Sequence, residues 1–296
     1  MSTSGWDAKP SLLAGLIGTG IGGSLTPAMH EREGAEQGLR LIYRKIDLTA
    51  LGLGVEALPE LVTAAQRFGF AGLNITHPCK QAVIPLLDEL SEDARALGAV
   101  NTVVFKDGKR IGYNTDGSGY AEGFRRGLPD VRRERAVQLG AGGAGSAVAH
   151  ALLGLGVGRL AIFDPDRGKA EALAASVSAR FGEGCAVVCE DLEAEMGEAD
   201  GLVNCTPIGM AKYPGLPLPE KLLRPSLWVS EIIYFPLETA LLSKARALGY
   251  RTLSGGGMAV FQAVGAFRLF SGLEPDAARM QRHFASMVGA PQPARV

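Results

Sequence analysis

No run of apolar residues in the chain is long enough to cross a bilayer, and no charge of one sign prevails: 30 Lys and Arg stand against 31 Asp and Glu, a formal net charge of −1. The first absence argues against a helical membrane span, which needs about 20 consecutive apolar residues. The second leaves no basic field of the kind that carries nucleic-acid binding. Cysteine is scarce, and Cys79, Cys185, Cys189 and Cys205 match neither a paired CxxC zinc site nor a disulfide scaffold, so they read as reduced thiols. The histidines His30, His77, His150 and His283 lack metal-ligand spacing, and no metal is expected. The start, MSTSGWDAKPSLLAGLIG, has one lysine and a glycine-broken apolar run, neither a signal peptide nor an anchor. The expected setting is the cytoplasm. The expected partner is a small molecule, with no nucleic acid and no membrane, for a monomer or homodimer.

Glycine is abundant, 40 of 296 residues, and clustered. The length suits two domains. Apolar patterning predicts strands at Leu12–Gly18, Leu41–Asp47 and Ala71–His77. It predicts helices from Pro27 through Ala28–Gly34, over Val55–Phe68 and over Lys80–Leu90. Such alternation calls for a parallel sheet with crossover helices. Val100–Lys106 and Arg110–Tyr113, joined by Asp107-Gly108-Lys109, read as a hairpin. A second alternation opens with Ala136–Leu139, a glycine-rich turn, a helix through Leu155 and Leu160–Phe163. Further strands are expected at Ala186–Val188, Gly201–Asn204, Val229–Ile232 and Arg251–Leu253. The helical segments Met258–Ser271 and Pro275–Val288 need a surface for their apolar faces, and are expected to return to the first domain. The tail Ala290–Val296 is expected to be loose.

The strongest local pattern is Gly140-Ala141-Gly142-Gly143-Ala144-Gly145, a G-x-G-x-x-G between a predicted strand and a predicted helix. Gly140 permits the tight turn, Gly142 lets backbone approach a pyrophosphate, and Gly145 lets helix and strand pack closely. The motif opens a helix expected over Ser146–Leu155, whose free N–H groups would face the phosphates, with Gly143 and Ala144 counted among the cofactor residues. Asp164, 19 residues beyond Gly145, ends the next strand, where a carboxylate accepts hydrogen bonds from the adenosine ribose. It would repel a 2′-phosphate, which favours NAD and disfavours NADP. Arg167 and Lys169 lie close enough to weaken that discrimination.

Polar residues collect at the predicted carboxyl ends of the first strands. They are Gly23-Ser24-Leu25-Thr26-Pro27-Ala28-Met29-His30, Asn74-Ile75-Thr76-His77-Pro78-Cys79-Lys80, Val100-Asn101-Thr102 and Asn114-Thr115-Asp116. In this order, with Gln262 later, they resemble the shikimate dehydrogenase family from about Leu13 to Leu273. The resemblance implies that Ser24 and Thr26 hold a substrate carboxylate. Thr76, Asn101, Asp116 and Gln262 would hold ring hydroxyls, with Lys80 and Asp116 as the acid/base pair. Tyr234 would join the substrate residues near the nicotinamide, and Gly255 the cofactor residues, while His77 falls where the family requires no histidine. Two departures from the commonest biosynthetic pattern, Thr26 for a second serine and Asp164-Pro165-Asp166-Arg167 for an Asn-Arg-Thr segment, resemble the NAD-linked quinate/shikimate branch. The extra methyl of Thr26 can tune the choice of acid by roughly 1–3 kcal/mol.

The expected architecture is therefore α/β in two domains. Residues 1–115, completed by 257–296, form a substrate-binding α/β domain, and 116–256 a Rossmann-type domain. The expected reaction is oxidation of the C3 hydroxyl of shikimate or quinate. A dehydrogenase of an analogue such as aminoshikimate, or a non-catalytic sensor of dinucleotide and acid, stands as the alternative.

Overall fold

The structure, a computed structural model, describes residues 10–224 and 226–288; the segment before Pro10 and the tail Ala290–Val296 lie outside them. The chain divides into two compact units, one made of residues up to Thr115 with those from Ala263 onward, the other of Asp116–Gln262. The crossing back falls at Ala263, six residues further along the helix Gly256–Ser271 than the Gly257 that the sequence suggested. The first turns of that helix explain the difference. A Cβ on Gly119 would lie 2.6 Å from the Gln262 nitrogen, Gly123 approaches Gly257, and Met258 packs on the second unit's core.

The first unit holds one six-stranded sheet of β1 (Ser11–Gly18), β2 (Arg40–Asp47), β3 (Gly72–Ile75), β4 (Glu89–Leu90), β5 (Thr102–Lys106) and β6 (Lys109–Tyr113), in the order β2-β1-β3-β5-β6-β4. β1 runs parallel to β2 and β3, but β5 is antiparallel to both β3 and β6. The sheet is thus mixed where alternation alone predicted a parallel one. The cause is the hairpin, whose two-residue turn puts Asp107 at φ 51° and Gly108 at φ 79°, as tight hairpin turns require. The helix expected over Lys80–Leu90 is also corrected. It is one turn, Cys79–Ala82, then a 3-10 turn, Ile84–Leu86, then β4. Pro85 has no N–H for the carbonyl four residues back, and its ring clashes there.

β1 is buried on both faces along its second half. Ile17, Leu73, Ile75 and Val103 meet Leu58 and Val62 on one side. Ala14, Leu16 and Tyr43 meet Phe267 and Phe270 of the returning helix on the other. The last helix, Ala277–Val288, is fastened by Arg279, whose guanidinium donates to both oxygens of the buried Glu33 at 2.8 and 2.6 Å. Burial pushes the Glu33 carboxyl up, but bonds from Arg279, Gln37 and the Asp276 N–H outweigh it and leave the pKa below its ordinary value.

The second unit is built on β7 (Arg135–Leu139), β8 (Arg159–Phe163), β9 (Ala186–Val188), β10 (Gly201–Asn204), β11 (Trp228–Glu231) and β12 (Arg251–Leu253). They run parallel throughout in the order β12-β11-β10-β7-β8-β9. The order reverses between β7 and β10, so adjoining crossovers lead to opposite faces and open a crevice at the carboxyl ends. One face packs Leu152, Leu160, Ile162, Val177 and Trp228 with Tyr120 and Phe124. The other packs Val137, Leu202 and Val229 with Met196, Leu241 and Leu242. Two covered faces explain why these strands read as continuous apolar runs. Among the described residues, no helix is long and apolar enough to cross a membrane.

Candidate active site

In the second unit the chain leaves β7 into the glycine turn at the switch point. Gly140 has φ 98°, and a Cβ there would stand 2.9 Å from the Cys205 carbonyl. At Gly145 a Cβ would come within 2.3 Å of the Gly140 oxygen, so both positions exclude a side chain. Gly142 and Gly143 face open space instead. The helix Gly143–Gly154 starts with no side-chain cap and no acidic residue in its first turn. Its N–H groups, Ala144 among them, are thereby left for an anion. A turn that only glycine can make, an open outer face and an uncapped helix end together fit a dinucleotide's phosphates.

Side chains brace this turn from behind. Gln138, fully buried on β7, donates its amide to the carbonyls of Gly140 and Gly145, both at 2.9 Å. Asp164 follows β8, and its carboxylate accepts from the Ala141 N–H at 2.8 Å and the Asp166 N–H at 2.9 Å. Around it, Arg167 is held by Glu171 and Glu190 at 2.7 and 2.6 Å, and Lys169 by Asp166 at 3.3 Å. On the far side of the switch point, Tyr234 stands 41% exposed in the loop after β11. The Gly255 N–H donates to the Ile233 carbonyl in that loop at 3.2 Å. Gln262 donates to the Ala259 carbonyl at 3.0 Å.

In the first unit Ser24 and Thr26 open the helix Thr26–Glu36, with Pro27 in its first turn and the Ser24 hydroxyl accepting from the Thr26 N–H at 3.3 Å. Thr76 follows β3, its N–H bonded to the Ile17 carbonyl and its carbonyl to the Cys79 N–H. Lys80 sits half-buried in the turn Cys79–Ala82, with its carbonyl tied to the Val100 N–H at 2.9 Å. Asn101 is buried and fixed at both ends of its amide. Its oxygen accepts from the Thr115 N–H at 2.8 Å and the Thr102 hydroxyl at 2.9 Å, and its nitrogen donates to the Thr115 hydroxyl at 2.9 Å. Behind it, Asn74 donates to Thr102 at 2.9 Å and accepts from the Tyr43 hydroxyl at 2.6 Å. Asp116, in the second unit, begins the helix Asp116–Gly127 and is 7% exposed.

The supporting residues Tyr43 and Gln138 were not foreseen. Gln138 did leave a trace, since it is a polar residue within the otherwise apolar run Ala136–Leu139.

A parallel sheet with this strand order, a glycine turn at its switch point and an uncapped helix beyond it define a dinucleotide-binding protein with a second α/β unit attached. Comparison with known proteins narrows the class. Residues 16–103 match the family described as the shikimate dehydrogenase substrate binding domain. The chain is 59% identical to a shikimate dehydrogenase (NADP(+)) of Streptomyces avermitilis over 95% of this chain and 97% of the other. It is 50% identical to a quinate/shikimate dehydrogenase (NAD(+)) of Corynebacterium efficiens, over 94% and 99%. The solved quinate dehydrogenase from Corynebacterium glutamicum, in complex with NAD, superposes with a TM-score of 0.88 at 49% identity, over 94% of this chain and all of that one. The chain belongs to the shikimate dehydrogenase family, oxidoreductases served by a nicotinamide dinucleotide.

Proposed function

We propose that the protein catalyses the reversible, NAD-linked oxidation of the C3 hydroxyl of shikimate, quinate or both to the 3-dehydro acid. The observation that carries the choice of NAD is the charge at the end of β8. Asp164, Asp166, Glu171 and Glu190 set four carboxylates against Arg167 and Lys169, and both cations are already engaged by carboxylates. Such a setting suits ribose hydroxyls, for which the Asp164 oxygens keep acceptor capacity, and repels a 2′-phosphate.

The acid's carboxylate would be held by the Ser24 and Thr26 hydroxyls, aided by the helix N-terminus they open. Thr76, Asn101 and Gln262 would hold ring hydroxyls, and the locked amide of Asn101 would present a fixed pattern to them. Lys80 and Asp116 form the acid/base pair in this reading, taking the proton that the C3 hydroxyl loses and returning it in the reverse direction. When bound, the nicotinamide ring supplies the hydride acceptor. Tyr234 and Gly255 belong to the nicotinamide side.

Steady-state kinetics with both acids against both dinucleotides test the reading. A kcat/KM for NAD at least about tenfold above that for NADP is expected, and parity or reversal overturns the NAD assignment. The Lys80→Ala enzyme should lose turnover by about 10²–10⁴-fold with its fold intact, the range a positioned acid/base contributes. Unchanged turnover would remove the mechanism.

A further inference from the structure

Glu231 ends β11 and is 1% exposed, with four donor groups turned on its carboxylate. The N–H groups of Ile232 and Ile233 reach Oε1 at 3.0 and 3.2 Å. The Asn204 amide bridges both oxygens at 3.1 and 3.0 Å, and the Thr239 hydroxyl reaches Oε2 at 3.3 Å. Asn204, fully buried at the end of β10, passes the connection on. It donates to the Ile208 carbonyl at 2.9 Å and accepts from the Thr206 N–H and hydroxyl at 3.0 and 2.7 Å. One carboxylate therefore ties together the chain after β10, the chain after β11 and, through Thr239, the cap of the helix Ala240–Ala247.

Both tied segments leave carboxyl ends of strands on the β10–β11 side of the switch point, the edge along which a parallel sheet of this order receives its ligand. The same loop carries Tyr234, and the Gly255 N–H holds it through the Ile233 carbonyl. Burial pushes the Glu231 carboxyl up to about 7, against the pull of its donors. A group this costly to bury needs a role, and hydrophobic packing alone would favour an apolar residue here.

We propose that Glu231 is a positioning residue for the cofactor: its carboxylate sets, ahead of binding, the two loops that receive the nicotinamide end of the dinucleotide. The proposal rests on the reading that a nicotinamide dinucleotide lies along this edge. Its chemistry is done by acceptor oxygens, not by proton transfer, which separates it from Lys80 and Asp116.

The test compares Glu231→Gln with Glu231→Met. The glutamine keeps one acceptor oxygen for the Ile232 and Ile233 N–H groups, while methionine fills a similar volume and accepts almost nothing. The methionine variant should raise the NAD KM by about tenfold or more while kcat at saturating NAD stays within about threefold, and glutamine should restore most of the KM. A merely structural role would lower the active fraction, and so kcat, without moving KM. A methionine variant with the parental KM, equal loss in both variants, or loss confined to kcat overturns the proposal. Should the methionine variant not fold, amide exchange in the parental protein decides. Protection of the Ile233 amide without cofactor supports a preset loop, and fast exchange there refutes it. Failure of the parental protein to bind either dinucleotide would instead sink the underlying reading.

Discussion

In the first unit the groups expected to meet the acid are side chains, and other side chains hold them. Tyr43 fixes Asn74, Asn74 fixes Thr102, and Thr102 and Thr115 fix Asn101. In the second unit the groups expected to meet the dinucleotide's phosphates are backbone N–H groups, and Gln138 and Asp164 brace the turn that presents them. The first arrangement tolerates small backbone change but not a lost polar atom. The second tolerates no added atom at Gly140 or Gly145. The contrast follows from the ligands: phosphates are recognised by oriented peptide dipoles, whereas a ring with several hydroxyls needs donors and acceptors in set places.

The contrast can be broken first at Gly145. An alanine there drives Cβ into the Gly140 carbonyl and should weaken NAD binding by about a hundredfold, roughly 2.7 kcal/mol, in a fluorescence titration. Equal damage to binding of the acid would erase the division of labour. A smaller effect sharpens the comparison through pH. In the first unit His30 is buried against Tyr43, Phe267 and Phe270, and burial pushes its imidazole down to about 3. Its neutral form is the folded one, so its contribution is full above its ordinary pKa of 6.5 and is lost as pH falls towards 3. In the second unit Glu231 runs the other way, because a raised carboxyl contributes fully below 4.5 and loses that contribution as pH rises through about 7. Over pH 7 to pH 5 the two contributions oppose each other, so the His30 part is read as the difference in urea stability between the parental protein and His30→Phe, which should shift by about 2 kcal/mol, at 1.36 kcal/mol per pH unit. The smallest change is Tyr43→Phe. It strands the Asn74 oxygen at a cost of about 1 kcal/mol and should raise the KM for the acid several-fold, leaving that for NAD alone.

Much of the fold could be read from the chain because periodicity and glycine are local signals. Ala186–Val188, Gly201–Asn204 and Arg251–Leu253 emerge with the expected ends. What local patterns missed was decided at a distance or by one residue. Pro85 broke a helix whose apolar pattern looked continuous, and the hairpin Thr102–Tyr113 turned the first sheet mixed. The glycine turn was visible because its glycines are obligatory. Its brace Gln138 was not, since a glutamine in a strand gives no hint of which carbonyls it will meet. The same holds for Tyr43, whose hydroxyl finds Asn74 only after β1 has paired with both β2 and β3.

The bond between Arg279 and Glu33 has a consequence in time. The second unit is one unbroken stretch of chain, complete once Gln262 has been made, whereas the first waits for a helix encoded some 250 residues after its opening strand. Since domains fold as units during synthesis, the half that greets the dinucleotide can close while the ribosome is still at work. The helix Thr26–Glu36 gains its last anchor only when Arg279 arrives, so the unit that opens the chain is finished after the one that follows it.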